Sequence, residues 1–182
     1  MSRMRSRTGF AAAIGTFAFA CAALLAGCAT SPAPAVDAAA PRLAPADMLA
    51  AIHAAGGREE TELAVQPLRD PMVEDLRERA QRLATDGHAA EAAAALDHAI
   101  GLVPGDPALL QERAEVAIAL GDLATAQAEA QHAWELGGKV GPLCRRHAET
   151  LRQVRLAAHD AAGAAAAAER REACTVAAPA RY

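Results

Sequence analysis

Large aromatic side chains are nearly missing from this chain: after Phe19 the only aromatics are Trp134 and Tyr182. Lysine occurs once, at Lys139, asparagine is absent, and Ser31 is the only serine beyond Ser6. Each lack excludes something. Hydrophobic residues make up 53% of the 182 positions, but most are alanine, and a core of alanine and leucine supports close helix packing and not a large sandwich or barrel. With no serine after residue 31, serine-hydrolase chemistry is excluded from the rest of the chain, and no glycine-rich phosphate loop is present. The formal charge of -4, the lack of a basic run and the scarcity of aromatics argue against nucleic acid as a partner. No stretch after residue 28 is long and apolar enough to span a bilayer.

What is present is a pattern written twice over residues 73–136. Gly87 returns as Gly121, Ala92 as Ala126 and Ala99 as Ala133, each 34 residues later, and Leu76 and Ala80 return as Leu110 and Ala114. That is the period of a helix-turn-helix unit. Leu76, Ala80 and Leu83 fall on one helical face, Gly87 permits a tight turn, and Ala92, Leu96 and Ala99 face back from a second helix. Asp70 with Pro71, and Asp106 with Pro107, supply two start signals in the same register: the aspartate accepts from orphan amides while proline takes the first helical position. A third unit emerges if an insertion is allowed. Leu156 to Asp160 in sequence matches Ile118 to Asp122 at an offset of 38, so its first helix, opened by Pro142 and continued by Cys144, Ala148 and Leu151, should be one turn longer. Its second helix is expected over residues 161–174, alanine-rich, as a terminal cap.

The pattern resembles the tetratricopeptide repeat. The matching residues are Leu76, Ala80, Leu83, Gly87, Ala92, Leu96, Ala99 and Pro104, then Leu110, Ala114, Ala117, Gly121, Ala126, Ala130, Ala133 and Leu136. The resemblance implies an all-α fold: a short solenoid over 71–176 with repeats near 73–106, 107–140 and 141–175, two regular and one diverged. It also implies a scaffold that binds a protein or peptide along the first helices of successive units. Side chains expected on that concave face are Arg77, Gln81, Gln111, Glu115, Arg145 and Glu149. The family's clamp for a terminal carboxylate uses lysines and asparagines that this chain lacks, so that specificity is not carried over.

The N-terminal residues read differently. Arg3, Arg5 and Arg7 precede an apolar stretch over 10–25, and Leu25, Ala26, Gly27 and Cys28 resemble the lipobox of bacterial lipoproteins. That resemblance implies a signal peptide over 1–27, acylation of Cys28 and, with Ala29 in place of an aspartate, sorting to the outer membrane with the domain on its periplasmic face. Without its three signal arginines, the mature form carries 15 basic against 22 acidic side chains, near -7. Pro32, Pro34 and Pro41 among alanines make 28–44 an extended tether. Met48, Leu49 and Ile52 predict a short helix over 45–55, stopped by Gly56 and Gly57. Residues 58–69, with Leu63 and Val65 alternating and Pro67 forbidding a helix, read as an extended lead-in that either packs on the first repeat or occupies the groove. A tail over 177–182 closes the chain.

Cys21 leaves with the signal and Cys28 is acylated, so Cys144 and Cys174 remain, in an oxidising compartment. Their midpoint is residue 159, where the offset places the turn between antiparallel helices, so a disulfide between them is expected. Two free buried thiols, or a redox or metal site, are the alternatives. The histidines at 53, 88, 98, 132, 147 and 159 lack the paired spacing of a zinc-protease helix, and no metal site or cofactor is expected. The sequence therefore predicts a non-enzymatic, membrane-anchored adaptor for a protein of the cell envelope, in the assembly of an outer-membrane or pilus and secretion complex. The competing reading is an envelope hydrolase or wall-modifying factor that uses a carboxylate or histidine site with no recognisable spacing.

Overall fold

The computed structural model describes residues 43–57 and 70–175. Over them the chain is all-helical: α1 (Pro45–Gly56), α2 (Pro71–Thr85), α3 (Ala89–Leu102), α4 (Pro107–Ala119), α5 (Leu123–Leu136), α6 (Gly141–Ala157) and α7 (Ala161–Ala173). The expectations for the signal, Cys28, the tether, the 58–69 lead-in and the C-terminal tail fall outside the described residues.

Local chemistry sets the helix ends. The Asp70 carboxylate accepts from the Met72 amide at 2.8 Å, and Asp106 accepts from Ala108 and Leu109 at 2.8 and 3.3 Å, each just ahead of a proline at the first helical position. Asp122 and Asp160 cap α5 and α7 in the same way, through the amides of Thr125 and Gly163. At the other end, α2, α4 and α6 stop alike. His88, Asp122 and Asp160 donate their amides to the carbonyls of Leu83, Ala117 and Arg155, five residues back, the long bond of a Schellman turn. That turn needs a left-handed residue, supplied by Gly87 and Gly121 with φ of 85° and 76° and by His159 with φ of 58°. His159 is the only non-glycine with positive φ among the described residues, and it stands where the offset of 38 places the third turn.

Successive helices pair as hairpins, α2 with α3, α4 with α5 and α6 with α7, and the hairpins stack through α3 on α4 and α5 on α6. Alanine makes the stacking possible. Ala92, Ala99, Ala114, Ala117, Ala126, Ala130, Ala133 and Ala148 are fully buried at the crossings, so the backbones approach closely and leucines fill the remaining gaps. One cluster joins Val73, Ala80, Leu96 and Leu109; another joins Ala114, Ala130, Leu151 and Ala167 under Trp134.

Helix α1 does not belong to this series. It packs along α6 and α4 and inserts Met48 and Ile52 among Ala117, Ile118, Ala126 and Val154. Both side chains are buried, an arrangement that contributes about 1.5–3 kcal/mol for each. A helix this short is marginal alone in water, so its folding depends on that seat.

Helix α7 has little to bury: Ala164 and Ala167 are its buried residues. Cys144 and Cys174 are joined by a disulfide, with Cα atoms 5.7 Å apart, and the Gly141 amide donates to the Cys174 carbonyl beside it. The bridge closes a 30-residue separation. Replacing both cysteines by alanine should lower the unfolding free energy of the mature chain by up to about 3–4 kcal/mol in the chain-entropy account. Urea unfolding curves of the two proteins check this, and coincident midpoints would mean the closed loop contributes nothing.

Candidate functional site

The face to be read for function is the one lined by the first helices of the three hairpins, α2, α4 and α6. Its centre is Glu115, on α4. Arg146 of α6 donates to this carboxylate through Nε at 3.1 Å and through Nη2 at 2.6 and 2.7 Å. Gln111, one turn earlier, donates from Nε2 at 2.8 Å, and His53 of α1 lies with its Nε2 3.0 Å away. Burial pushes this carboxyl upward, but the His53, Arg146 and Gln111 donors overcome it and hold it below the usual carboxylate range. Glu115 therefore stays ionised as the tie between α1, α4 and α6.

A second line of contacts runs beneath it. Gln111 Nε2 also donates to Thr150 Oγ1 at 2.7 Å, Thr150 donates to the Arg146 carbonyl at 2.9 Å, and Gln111 Oε1 lies 2.7 Å from His147 Nδ1. An amide oxygen can only accept, so His147 carries its proton on Nδ1 and leaves Nε2 as a buried acceptor with no partner. Burial and the neighbouring Arg146 charge lower its pKa to about 4, so the ring is neutral.

The C-terminus of α1 is held separately. Arg145 donates from Nε to the Ala55 carbonyl at 2.9 Å and from Nη2 to the Gly56 carbonyl at 3.0 Å, which satisfies acceptors that a helix end leaves orphaned. Gly56 is buried against the stem of Arg146, whose Cδ would lie 3.1 Å from an added Cβ. On the side towards α2, Arg77 donates from Nε to Glu112 at 2.6 Å and from Nη1 to Glu74 at 3.2 Å. Burial raises the Glu112 pKa against the pull of Arg77, and its second oxygen is buried with no partner.

The six side chains that the repeat register sets on this face have unlike surroundings. Gln111 and Glu115, at 0 and 8% exposure, lie within the network, and Arg145 is spent on the end of α1. Glu149 is turned away from the groove. Its carboxylate takes Arg152, Gln153 and, from α7, Arg171 at 2.8 Å, and only 1% of the residue is exposed. Arg77 is half-buried against Glu112, and Gln81 is exposed. The cause is α1, which fills the groove over α4 and α6, while Gln81 of α2 stays exposed. Sequence reasoning passed over His53, Glu112, Arg146, His147 and Thr150; the Arg145-Arg146 doublet at the start of α6 was the one signal available. His98 and His132 are exposed at equivalent places in successive hairpins. Among the described residues no group of three His, Cys, Asp or Glu side chains could hold a metal ion.

His147 makes the network sensitive to acid in a defined window. Its folded pKa of about 4 lies below the ordinary 6.5, so the unfolded chain binds a proton first as the pH falls. Stability should be complete above pH 6.5 and decline towards pH 4 by a total of about 3 kcal/mol, while the contribution of Glu115 is lost only below its ordinary 4.5. Urea unfolding as a function of pH should show that slope in the parent chain and not in His147→Asn. An equal slope in both would assign the effect to another group.

No family model matches the chain, and no curated protein does. A solved structure does: the globular C-terminal domain of LpoP from P. aeruginosa, at 30% identity and a TM-score of 0.54. The match covers 58% of this chain and 99% of that domain. With that identity over nearly the whole of the solved domain, the chain belongs to the same family as the globular C-terminal domain of LpoP.

Proposed function

We propose that this chain is a lipid-anchored adaptor of the bacterial envelope, of the tetratricopeptide type, which holds a partner protein on the inner face of α2, α4 and α6. The observation that carries this reading is that the face already seats a helix: α1 lies along α6 and α4 with its apolar side chains in the groove and its C-terminus in the fork of Arg145. A surface that recognises one helix in this way has the features of a protein-binding groove. The lipobox at Cys28 and the proline-bearing tether supply the anchor and the reach, and Ala29 favours the outer membrane. The order of parts, an N-terminal attachment and a helical domain after it, parallels a LpoP domain that is itself C-terminal. The role is binding and not catalysis, in the assembly or upkeep of an envelope complex.

Two measurements on one set of strains test this. Cys28→Ser should abolish acylation and move the protein out of the membrane fraction, because each buried methylene contributes about 0.8 kcal/mol and lasting attachment takes more than one chain. A photo-crosslinker at exposed Gln81 on α2 should capture one discrete envelope protein, and one at exposed Glu169 on α7 should not. Retention of the Cys28→Ser protein on the membrane would contradict the anchor; the absence of a crosslink from Gln81 in intact cells would contradict the adaptor role.

A further inference from the structure

The groove under α1 shows what kind of partner it fits. We infer that it is a docking site for a short amphipathic helix of another envelope protein, and that α1 is the resident occupant such a helix displaces. The location of that partner rests on the adaptor reading; the exchange of helices in the groove does not.

The central polar contacts of the groove do not run through α1. Gln111, Thr150, Glu115 and Arg146 bond to one another across α4 and α6, and only His53 and the Arg145 fork cross to α1. Lifting α1 breaks the contact of His53 with Glu115 but leaves Glu115 its bonds to Arg146 and Gln111, and the apolar residues it uncovers include Ala117, Ile118, Ala126 and Val154.

The seat is also larger than its occupant. A cleft of about 520 Å³ stays open beside the N-terminal half of α1, lined by Leu43, Met48, Ile118, Leu123, Leu156 and Ala157 among others. A helix with a bulkier apolar residue there would bury surface that α1 does not.

The contacts α1 makes are ones that another helix can reproduce. They are two apolar side chains four positions apart, a hydrogen-bonding residue directly after the second, and C-terminal carbonyls for Arg145. Nor is α1 built to persist as a helix by itself. It has 12 residues and no side-chain cap, whereas α2, α4, α5 and α7 each have an aspartate cap. Its helicity is lent by the groove.

The probe is a fluorescein-labelled peptide with the sequence of residues 43–57, titrated into the mature chain carrying Cys28→Ser. Its binding to the parent should be weakened by the fraction of time α1 occupies the groove, about ten-fold or more relative to a Met48→Asp, Ile52→Asp chain whose own α1 cannot dock. Adding Ile118→Asp to that chain should abolish binding, as should alanine at the two apolar positions of the peptide. A double variant that still unfolds cooperatively, with the helix content of α2 to α7 retained, yet binds the peptide no better overturns the proposal. If the double variant does not fold, a protease site placed between residues 58 and 69 tests the same point with the described residues unchanged. After cleavage, excess labelled peptide should replace the severed α1, and a severed α1 that stays bound through dialysis against the peptide overturns the proposal. Neither readout involves an envelope partner, so failure here removes helix exchange and leaves the adaptor role to the crosslinking result.

Discussion

The constraint that shapes this molecule is its alanine core. Where the hairpins cross, the buried positions are Ala92, Ala99, Ala114, Ala126, Ala130 and Ala133, and each methyl removes little apolar surface from water. Close approach of the backbones is the gain; a shortage of hydrophobic stabilisation is the cost. The rest of the structure reads as compensation. Aspartates cap four of the helices, Schellman turns end the first helix of every hairpin, and a disulfide ties the end of the alanine-rich α7 to α6.

Polar contacts fill the role that large side chains have elsewhere. The face made by α2, α4 and α6 carries a line of charges from Glu74 through Arg77 and Glu112 to Arg146, Glu115 and His53. Buried charge is tolerated there because Glu112 and Glu115 each have a donor on a neighbouring helix, so the network fixes the register of the hairpins as much as it stabilises them. A stiff, charged groove follows, and a short helix needs only a few apolar contacts to sit in it. The link from composition to function therefore runs through packing: small residues force polar ties between helices, and the ties build the seat for α1.

Much of the scaffold was legible in the sequence. The recurrence of Gly87 as Gly121 locates two turns, the Asp-Pro pairs locate two helix starts, and the offset of 38 finds the third turn even though His159 stands there instead of glycine. These are local signals, and each acts through its own backbone. The site was harder to read. A short helix over 45–55 follows from Met48, Leu49 and Ile52, but nothing in their spacing says which surface they meet, and the segment considered for the groove was residues 58–69. Glu149 shows a second limit. It falls on the inner face by repeat register, yet α6 is packed by α1, α5 and α7 together, and the carboxylate is taken up by Arg171. His147 is a third case: between Arg146 and Ala148 it looks like surface, and its burial depends on Gln111, 36 positions away.

The claim that the groove and its helix are separable is tested most directly by hydrogen exchange along the mature chain under native conditions. If α1 is a resident ligand, its central amides exchange through a local opening, about a hundredfold or more faster than those of α4 and α6 beneath it. If α1 is instead an integral part of the fold, the three helices will show the same protection and lose it together with global unfolding.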